Sequence, residues 1–258
     1  MDTTKRIILF LFIVLLLATG LSVSLYRDKH AEAAEAVLRV GAGDDVTGLL
    51  MEDLIESTRD TVLDIELNTF MDCCGNAAQW AMSTNDLDVG FYCGSTALTL
   101  VNHNSDLEIY GPAVLNAEVV ALGSDNKDTV KTMALPMKRT FLDEIVYDNF
   151  PSVTEIVQVP TTSLHYALSG GSVDGAVVDI AKALQAPSFI YIPLSDEDHV
   201  SYCLVVNKNI TDTPQFARFL NEYNQIAEYF NDSEYLKDHN EMNDSFWQTN
   251  NVKFLYFN

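Results

Sequence analysis

The sequence predicts an α/β fold of two lobes, each a mostly parallel sheet flanked by helices, with the second lobe inserted into the first. Three observations carry this expectation. Short apolar runs of strand length alternate with segments of helical period, which calls for parallel strands covered by helices. The alternation breaks at a long apolar run, 117–122, and then restarts. A second long apolar run, 202–207, is followed by one strongly amphipathic helix. Lobe 1 is expected from residues 37–119 plus 206–258 and lobe 2 from 120–205. Two strands would cross between them, near 118–123 and 201–207.

In lobe 1, Leu38-Arg39-Val40-Gly41 reads as a strand ending in a glycine turn. Leu49, Leu50, Leu54 and Ile55 follow at helical spacing. Residues 61–70 alternate as a second strand, 74–83 read as a helix, and Leu87-Asp88-Val89-Gly90-Phe91-Tyr92 as a third strand. A short helix at 95–101 and a strand at 107–110 complete the first series. In lobe 2 the strands are expected at 117–122, 132–135, 155–159, 174–179 and 189–192. Helices are expected at 140–150, at 161–169 behind Thr/Ser caps, and from 180. Thr213-Pro214 opens the last helix, with Phe216, Phe219, Leu220, Tyr223, Ala227 and Phe230 on one face. The tail from Asn231 is polar and aromatic, with weak periodicity.

The chain has 258 residues, 48 % of them hydrophobic, enough for a substantial core. It carries 37 acidic residues against 15 Lys+Arg, a formal net charge of -22. That excludes the basic surface nucleic acid needs and disfavours the anionic face of a membrane. A solvated acidic surface also serves solubility alone. Lys5 and Arg6 precede an apolar run from Ile7 to Ala18 that continues weakly to Tyr26. This is the pattern of an export signal, and it is about long enough to span a bilayer. Ala31–Ala36 offers small-residue cleavage sites, so residues 1–36 read either as a cleaved signal peptide or as an N-terminal membrane anchor. Either way the remainder is expected outside the cytoplasm.

The order of these elements resembles a type II periplasmic solute-binding protein, nearest the ABC-transporter receptors for nitrate, sulfonates and thiamine precursors. The resemblance rests on Leu38-Arg39-Val40-Gly41, the 87–90 strand, Glu118-Val119-Val120-Ala121-Leu122, the segment from Ala167 to Val177, and Tyr202-Cys203-Leu204-Val205-Val206-Asn207. Asp72-Cys73-Cys74-Gly75 with Gln79-Trp80 is further similar to the binding component of a transporter group associated with selenium-using bacteria and soft metals such as mercury. The resemblance implies a monomeric carrier, not an enzyme, that captures a small solute by hinge closure and hands it to an ABC permease in the membrane. No resident cofactor is implied; a soft metal would be the ligand itself.

In such a layout the loops after the strands face the cleft. They present Asp44 and Asp45 after the first strand, Asp72, Cys73 and Cys74 after the second, and Cys93 after the third, with Cys203 in the return strand. Three readings of the four cysteines stay open. They form disulfides, Cys74–Cys93 or Cys73–Cys93, as an even count outside the cytoplasm suggests. They are buried free thiols. Or they hold a soft cation as thiolates, Cys73 and Cys74 being activated at a helix start. Asp44, Asp45, Asp72 and Asp179 would line the opening as a cation-preferring rim or as solvated carboxylates. Lys138 and Arg139 run against a cation, unless they are surface residues. Tyr92, Met137, Thr161, Thr162 and Ser163 are further wall candidates, and amides near 161–163 offer an anion a helix start. His103, His165 and His199 read as surface residues and Trp80 as packed within its helix. Gly41-Ala42-Gly43 is no dinucleotide fingerprint, and no GxSxG, HExxH or P-loop occurs. The enzyme alternative is a thiol-dependent reaction at Cys74 or Cys93, for which no histidine is placed as base.

Overall fold

The computed structural model describes residues 37–59, 63–232 and 251–258. The N-terminal apolar run, the 31–36 cleavage stretch and most of the polar tail lie outside the described residues. The chain begins with β1 (Leu38–Gly43), α1 (Val46–Thr58), β2 (Ile65–Phe70), α2 (Asn76–Ser83), β3 (Val89–Tyr92), α3 (Gly94–His103) and β4 (Leu107–Leu115). It crosses at residues 116–117 into β5 (Glu118–Leu122), β6 (Thr132–Pro136), α4 (Phe141–Asn149) and β7 (Glu155–Val159). A 3-10 turn at Thr161–Ser163 leads to α5 (Leu164–Ser169), β8 (Gly175–Asp179), α6 (Ile180–Gln185) and β9 (Ile190–Pro193). The chain returns through residues 194–199 as β10 (Val200–Asn207), then α7 (Pro214–Asn231) and β11 (Lys253–Phe254).

Two sheets result, β11-β4-β10-β3-β1-β2 and β7-β6-β8-β5-β9. Leaving out β11, their orders correspond strand for strand. In each sheet the strand that arrives from the other lobe lies antiparallel to both its neighbours. It is β10 between β3 and β4, and β5 between β8 and β9. The βαβ units pair in parallel, β2-β1-β3 and β7-β6-β8, as the alternation required. The sheets are therefore mixed rather than mostly parallel, because each returning strand enters from the opposite end. All of β10 belongs to the first sheet, so residues 200–205 fall in lobe 1 rather than lobe 2. The crossings lie in the loops before β5 and β10, not within the strands.

Sequence reasons for the elements are local and visible. Thr213 caps α7 by accepting from the Phe216 amide, and Pro214 occupies the first turn, where a missing N–H leaves no bond unmade. The aromatic face of α7 then packs on lobe 1, with Tyr223 against Phe91 and Phe257, and Phe230 against Phe254. The expected Thr/Ser capping of 161–169 does not occur. Neither Pro160 nor Ser163 makes a side-chain cap bond, and the segment splits into a 3-10 turn and a short helix. Trp80 is 70 % exposed rather than packed within α2. The largest apolar cluster contains Val40, Leu50 and Phe219 of lobe 1 together with Val119, Ala134 and Val178 of lobe 2, so the two lobes are apposed. Among the described residues no helix is long and apolar enough to cross a membrane.

Candidate functional site

The lobes meet at the carboxyl ends of β1, β2, β6 and β8, around a narrow cleft of ≈ 20 Å³, room for about one water molecule. Lobe 1 supplies Asp44, Asp45 and Asp72; lobe 2 supplies Arg139, Thr161, Asp179 and Lys182, with Met71 and Leu164 as apolar wall. Groups from both lobes thus face one cleft.

The floor is built around the start of α1. A β-carbon at Gly48 would collide with the Gly43 carbonyl oxygen, so glycine there lets the helix seat against the turn after β1. Asp45 is the N-cap, its Oδ1 accepting from the Thr47 amide at 2.9 Å and the Thr47 hydroxyl at 2.6 Å. The Val46 amide donates instead across the cleft, to Asp179 Oδ1 at 2.9 Å. Asp179 also caps α6 through the Ala181 amide at 2.8 Å, and its Oδ2 accepts from the Tyr202 hydroxyl at 2.7 Å. Burial, and then the nearby Asp45, push the Asp179 carboxyl up to about 7, against the hydrogen bond from Tyr202. At the rim Lys182 Nζ meets Asp44 Oδ2 at 2.5 Å, and Lys138 Nζ donates to Asn76 Oδ1 at 2.7 Å, both across the cleft.

Behind the floor runs a buried polar chain. Lys138 adopts a left-handed backbone, φ 71°, which turns Lys138 outward and Arg139 inward. The Arg139 guanidinium donates to Glu118 Oε1 at 2.9 Å, to the Tyr202 hydroxyl at 3.0 Å and toward Cys73 Sγ at 3.5 Å. It also lies 5.2 Å from the centre of the Tyr202 ring. Glu118 is further held by His199 Nε2 at 3.1 Å and by the Ser201 hydroxyl. Burial alone would raise the Glu118 carboxyl, but His199, Arg139 and Ser201 together bring it below its ordinary value. Ser201 in turn accepts from the Ala117 amide at 2.8 Å, and Asn116 exchanges bonds with His199. The chain of contacts thus runs from the cleft to both crossing segments.

The thiols lie under this floor. All four cysteines are free and buried, so no disulfide is formed. Cys73 Sγ is 3.3 Å from Cys74 Sγ, and Cys74 continues to Cys93 by a thiol contact. Cys93 donates to the Thr96 hydroxyl at 3.3 Å. The Asp72 carboxylate, which accepts from the Cys74 amide at 3.0 Å, lies with the Cys73 and Cys74 sulfurs inside a 4.8 Å cluster able to hold an ion. The expected activation at a helix start fails. Neither cysteine is in the first turn of α2, whose N-cap is Gly75. The bond from Cys74 favours a Cys73 thiolate, yet burial and Asp45 outweigh it and raise the thiol. Cys74 is raised by its bond with Cys73 and by burial, and Cys93 by its bond with Cys74 and by burial.

Asp44, Asp45, Asp72, Asp179 and Thr161 therefore share the cleft. Thr162 and Met137 are exposed near it without lining it. Tyr92 does not reach it: the ring is buried beneath α2 and α3, its hydroxyl donating to the Ala78 carbonyl at 2.9 Å. Cys203 packs with Tyr92 and Val205, on the opposite face of β10 from Tyr202, apart from the Asp72 cluster. His199 and Arg139 are not surface residues, and His165 is half-buried against Phe189. Sequence reasoning passed over Glu118, Tyr202 and Lys182. The available signal was Glu118 heading an otherwise apolar strand, since a carboxylate there must find a partner.

No protein-family model matches the sequence, and no curated protein matches it. Solved structures do share the fold. An ABC-transporter periplasmic substrate-binding protein from Coxiella burnetii aligns at TM-score 0.56 and 15 % identity over 73 % of this chain and 92 % of its own. A nutrient-binding protein from Burkholderia cenocepacia bound to methionine aligns at 0.58 and 14 %, over 75 % and 95 %. The ligand-binding component of an ABC-type import system from Staphylococcus aureus with zinc bound aligns at 0.62 and 14 %, over 86 % of each chain. The fold is that of the two-lobed periplasmic substrate-binding proteins.

Proposed function

We propose that this chain is the extracytoplasmic solute-binding component of an ABC importer, which captures a small cationic solute between its lobes and presents it to a membrane permease. The observation that carries this reading is the interlobe cleft, lined from both sides by four carboxylates against two cations. Each of those cations is already matched, Arg139 by Glu118 and Lys182 by Asp44. A cation entering the cleft gains from both lobes at once, and closure follows from that differential affinity. The fold's solved neighbours include carriers with methionine and with zinc bound, consistent with a small solute.

The sharper form is a soft metal ion or a thiol-reactive metal species held by Asp72, Cys73 and Cys74, with Cys93 behind them. Thiolates select copper(I), zinc or mercury-like ions, and a bound cation displaces the thiol protons that burial otherwise retains. The thiol-enzyme alternative is disfavoured. Cys74 and Cys93 are buried with raised thiols, and neither has an imidazole among its contacts in the described residues. The test is titration of the reduced full chain with copper(I), zinc and mercury(II), counting reactive thiols and following intrinsic fluorescence. One equivalent of a soft ion should protect Cys73 and Cys74 together and be lost in Cys74→Ser. Thiols left unprotected by all three ions would overturn the metal assignment. Arginine-like and polyamine cations then test the broader cationic class.

A further inference from the structure

We infer that Asp179 is a specificity-determining residue: its carboxyl group is a tethered stand-in for an anion, filling the oxyanion cradle of the cleft and so barring free oxyanions from it. The inference rests on reading the cleft as the solute site, and deepens it by setting the class of solute that is refused.

Three donors from different elements converge on this one carboxyl group. The Val46 amide is the first of α1, a helix of 13 residues, and comes from lobe 1. The Ala181 amide comes from lobe 2, and the Tyr202 hydroxyl from β10. Behind Tyr202 stands Arg139, 4 % exposed, whose Nε has no hydrogen-bond partner. Helix-start amides, a hydroxyl and a buried guanidinium are what a protein assembles to hold a carboxylate, sulfate or phosphate. Here the two amides and the Tyr202 hydroxyl are all answered by one side chain of the protein itself, Asp179. Asp45 does the same for the next amide of α1, Thr47. An anionic solute would have to displace Asp179 and then lie beside Asp45 and Asp72. A cationic one meets the carboxylates with the cradle already closed.

The test uses inorganic sulfate and phosphate as probes on the full chain at pH 8, by calorimetric titration. Wild type should bind neither in the millimolar range. Asp179→Ser, which empties the cradle, should gain at least tenfold in affinity for one of them. Asp179→Asn, which keeps the volume and still accepts from both amides, should gain nothing. A folded serine variant that refuses both anions overturns the inference. So does wild type that itself binds sulfate or phosphate in the millimolar range, and this second measurement stands even where the serine variant does not fold. The soft-ion titration on the same samples separates the two readings. If the serine variant gains sulfate while no sample binds a soft ion, the metal assignment falls and the exclusion of anions holds.

Discussion

Removing the Glu118 carboxylate should be among the most damaging single changes in the molecule. Its side chain is 0 % exposed and that of Arg139 4 %, so the pair has left water entirely. The two oxygens take a guanidinium, an imidazole and a hydroxyl. Glu118→Ala leaves Arg139 with the Tyr202 hydroxyl and ring and the Cys73 sulfur, none of which is a carboxylate. Stranding one partner of a buried ion pair costs about 3–5 kcal/mol. Ser201 and His199 lose an acceptor as well, which places Glu118→Ala at the upper end of that range. Glu118→Gln keeps an acceptor for Arg139 and loses the charge, for about 2 kcal/mol. At roughly 2–4 °C per kcal/mol for a domain of this size, the alanine variant should melt about 10 °C lower. Thermal and urea unfolding followed by circular dichroism reads both. The decisive companion is Glu118→Leu with Arg139→Met, which removes both charges and should recover at least half of the alanine loss. The reasoning is refuted if Glu118→Ala melts within about 2 °C of wild type, equivalent to under about 1 kcal/mol. It is refuted equally if the double variant loses as much as both single changes added.

Asp179 gives a pH signature. Its carboxyl is raised to about 7 in the fold, chiefly by burial, against about 3.9 in the unfolded chain. The folded state therefore holds an extra proton in that window, and the stability it contributes is lost as pH rises from about 4 through 7. Asp179→Asn should flatten the slope of stability against pH across this window, measured by urea unfolding at several pH values. Glu118 runs the opposite way: its lowered carboxyl gives stability present above about pH 4.3 and lost at lower pH, so Glu118→Gln should blunt acid unfolding. Lys182→Ala breaks a rim pair whose Asp44 side chain is 49 % exposed, so its stability effect should stay under about 1 kcal/mol. Its expected effect is a more open molecule, read as a larger radius of gyration in solution scattering. Cys203→Ser should leave soft-ion protection of Cys73 and Cys74 intact, because Cys203 lies on the other face of its sheet.

What the sequence made legible was whatever depends on neighbours in the chain. β7 falls on residues 155–159 as the alternation places it, and Thr213-Pro214 opens α7 where the capping chemistry requires. The antiparallel insertion of β5 and β10 was not legible, since strand order is decided by distant pairings such as Val89 with Val206. Composition likewise misplaced single side chains. The cysteines stand next to Asp72 and Gly75 and read as a polar loop, yet the loop folds inward and buries both sulfurs. Lys138 and Arg139 read alike, as cations of the cleft or of the surface, until one left-handed residue sent them in opposite directions.

The carboxylates show why a rim of acids is not one thing. Asp44 is spent on a solvated bridge to Lys182, Asp45 on a helix cap, and Asp179 on donors from both lobes. Asp72, of the four, joins the sulfurs of Cys73 and Cys74 in one cluster and accepts from the Cys74 amide. In the proposed reading three of the four set the geometry between the lobes, and capture falls to Asp72 and the sulfurs beneath it. The link between the two jobs is Arg139. One of its nitrogens touches both Tyr202, which holds Asp179, and Cys73. Its other terminal nitrogen holds Glu118 at the head of a crossing segment. On the proposed reading a cation at Cys73 would repel that guanidinium, and the displacement would pass to Asp179 and to Glu118, at the head of a crossing segment, through contacts of 3.5 Å or less. Arg139→Met should therefore uncouple solute binding from lobe closure, leaving thiol protection while abolishing any compaction on ion binding measured by scattering. Compaction that persists in that variant would place the coupling elsewhere.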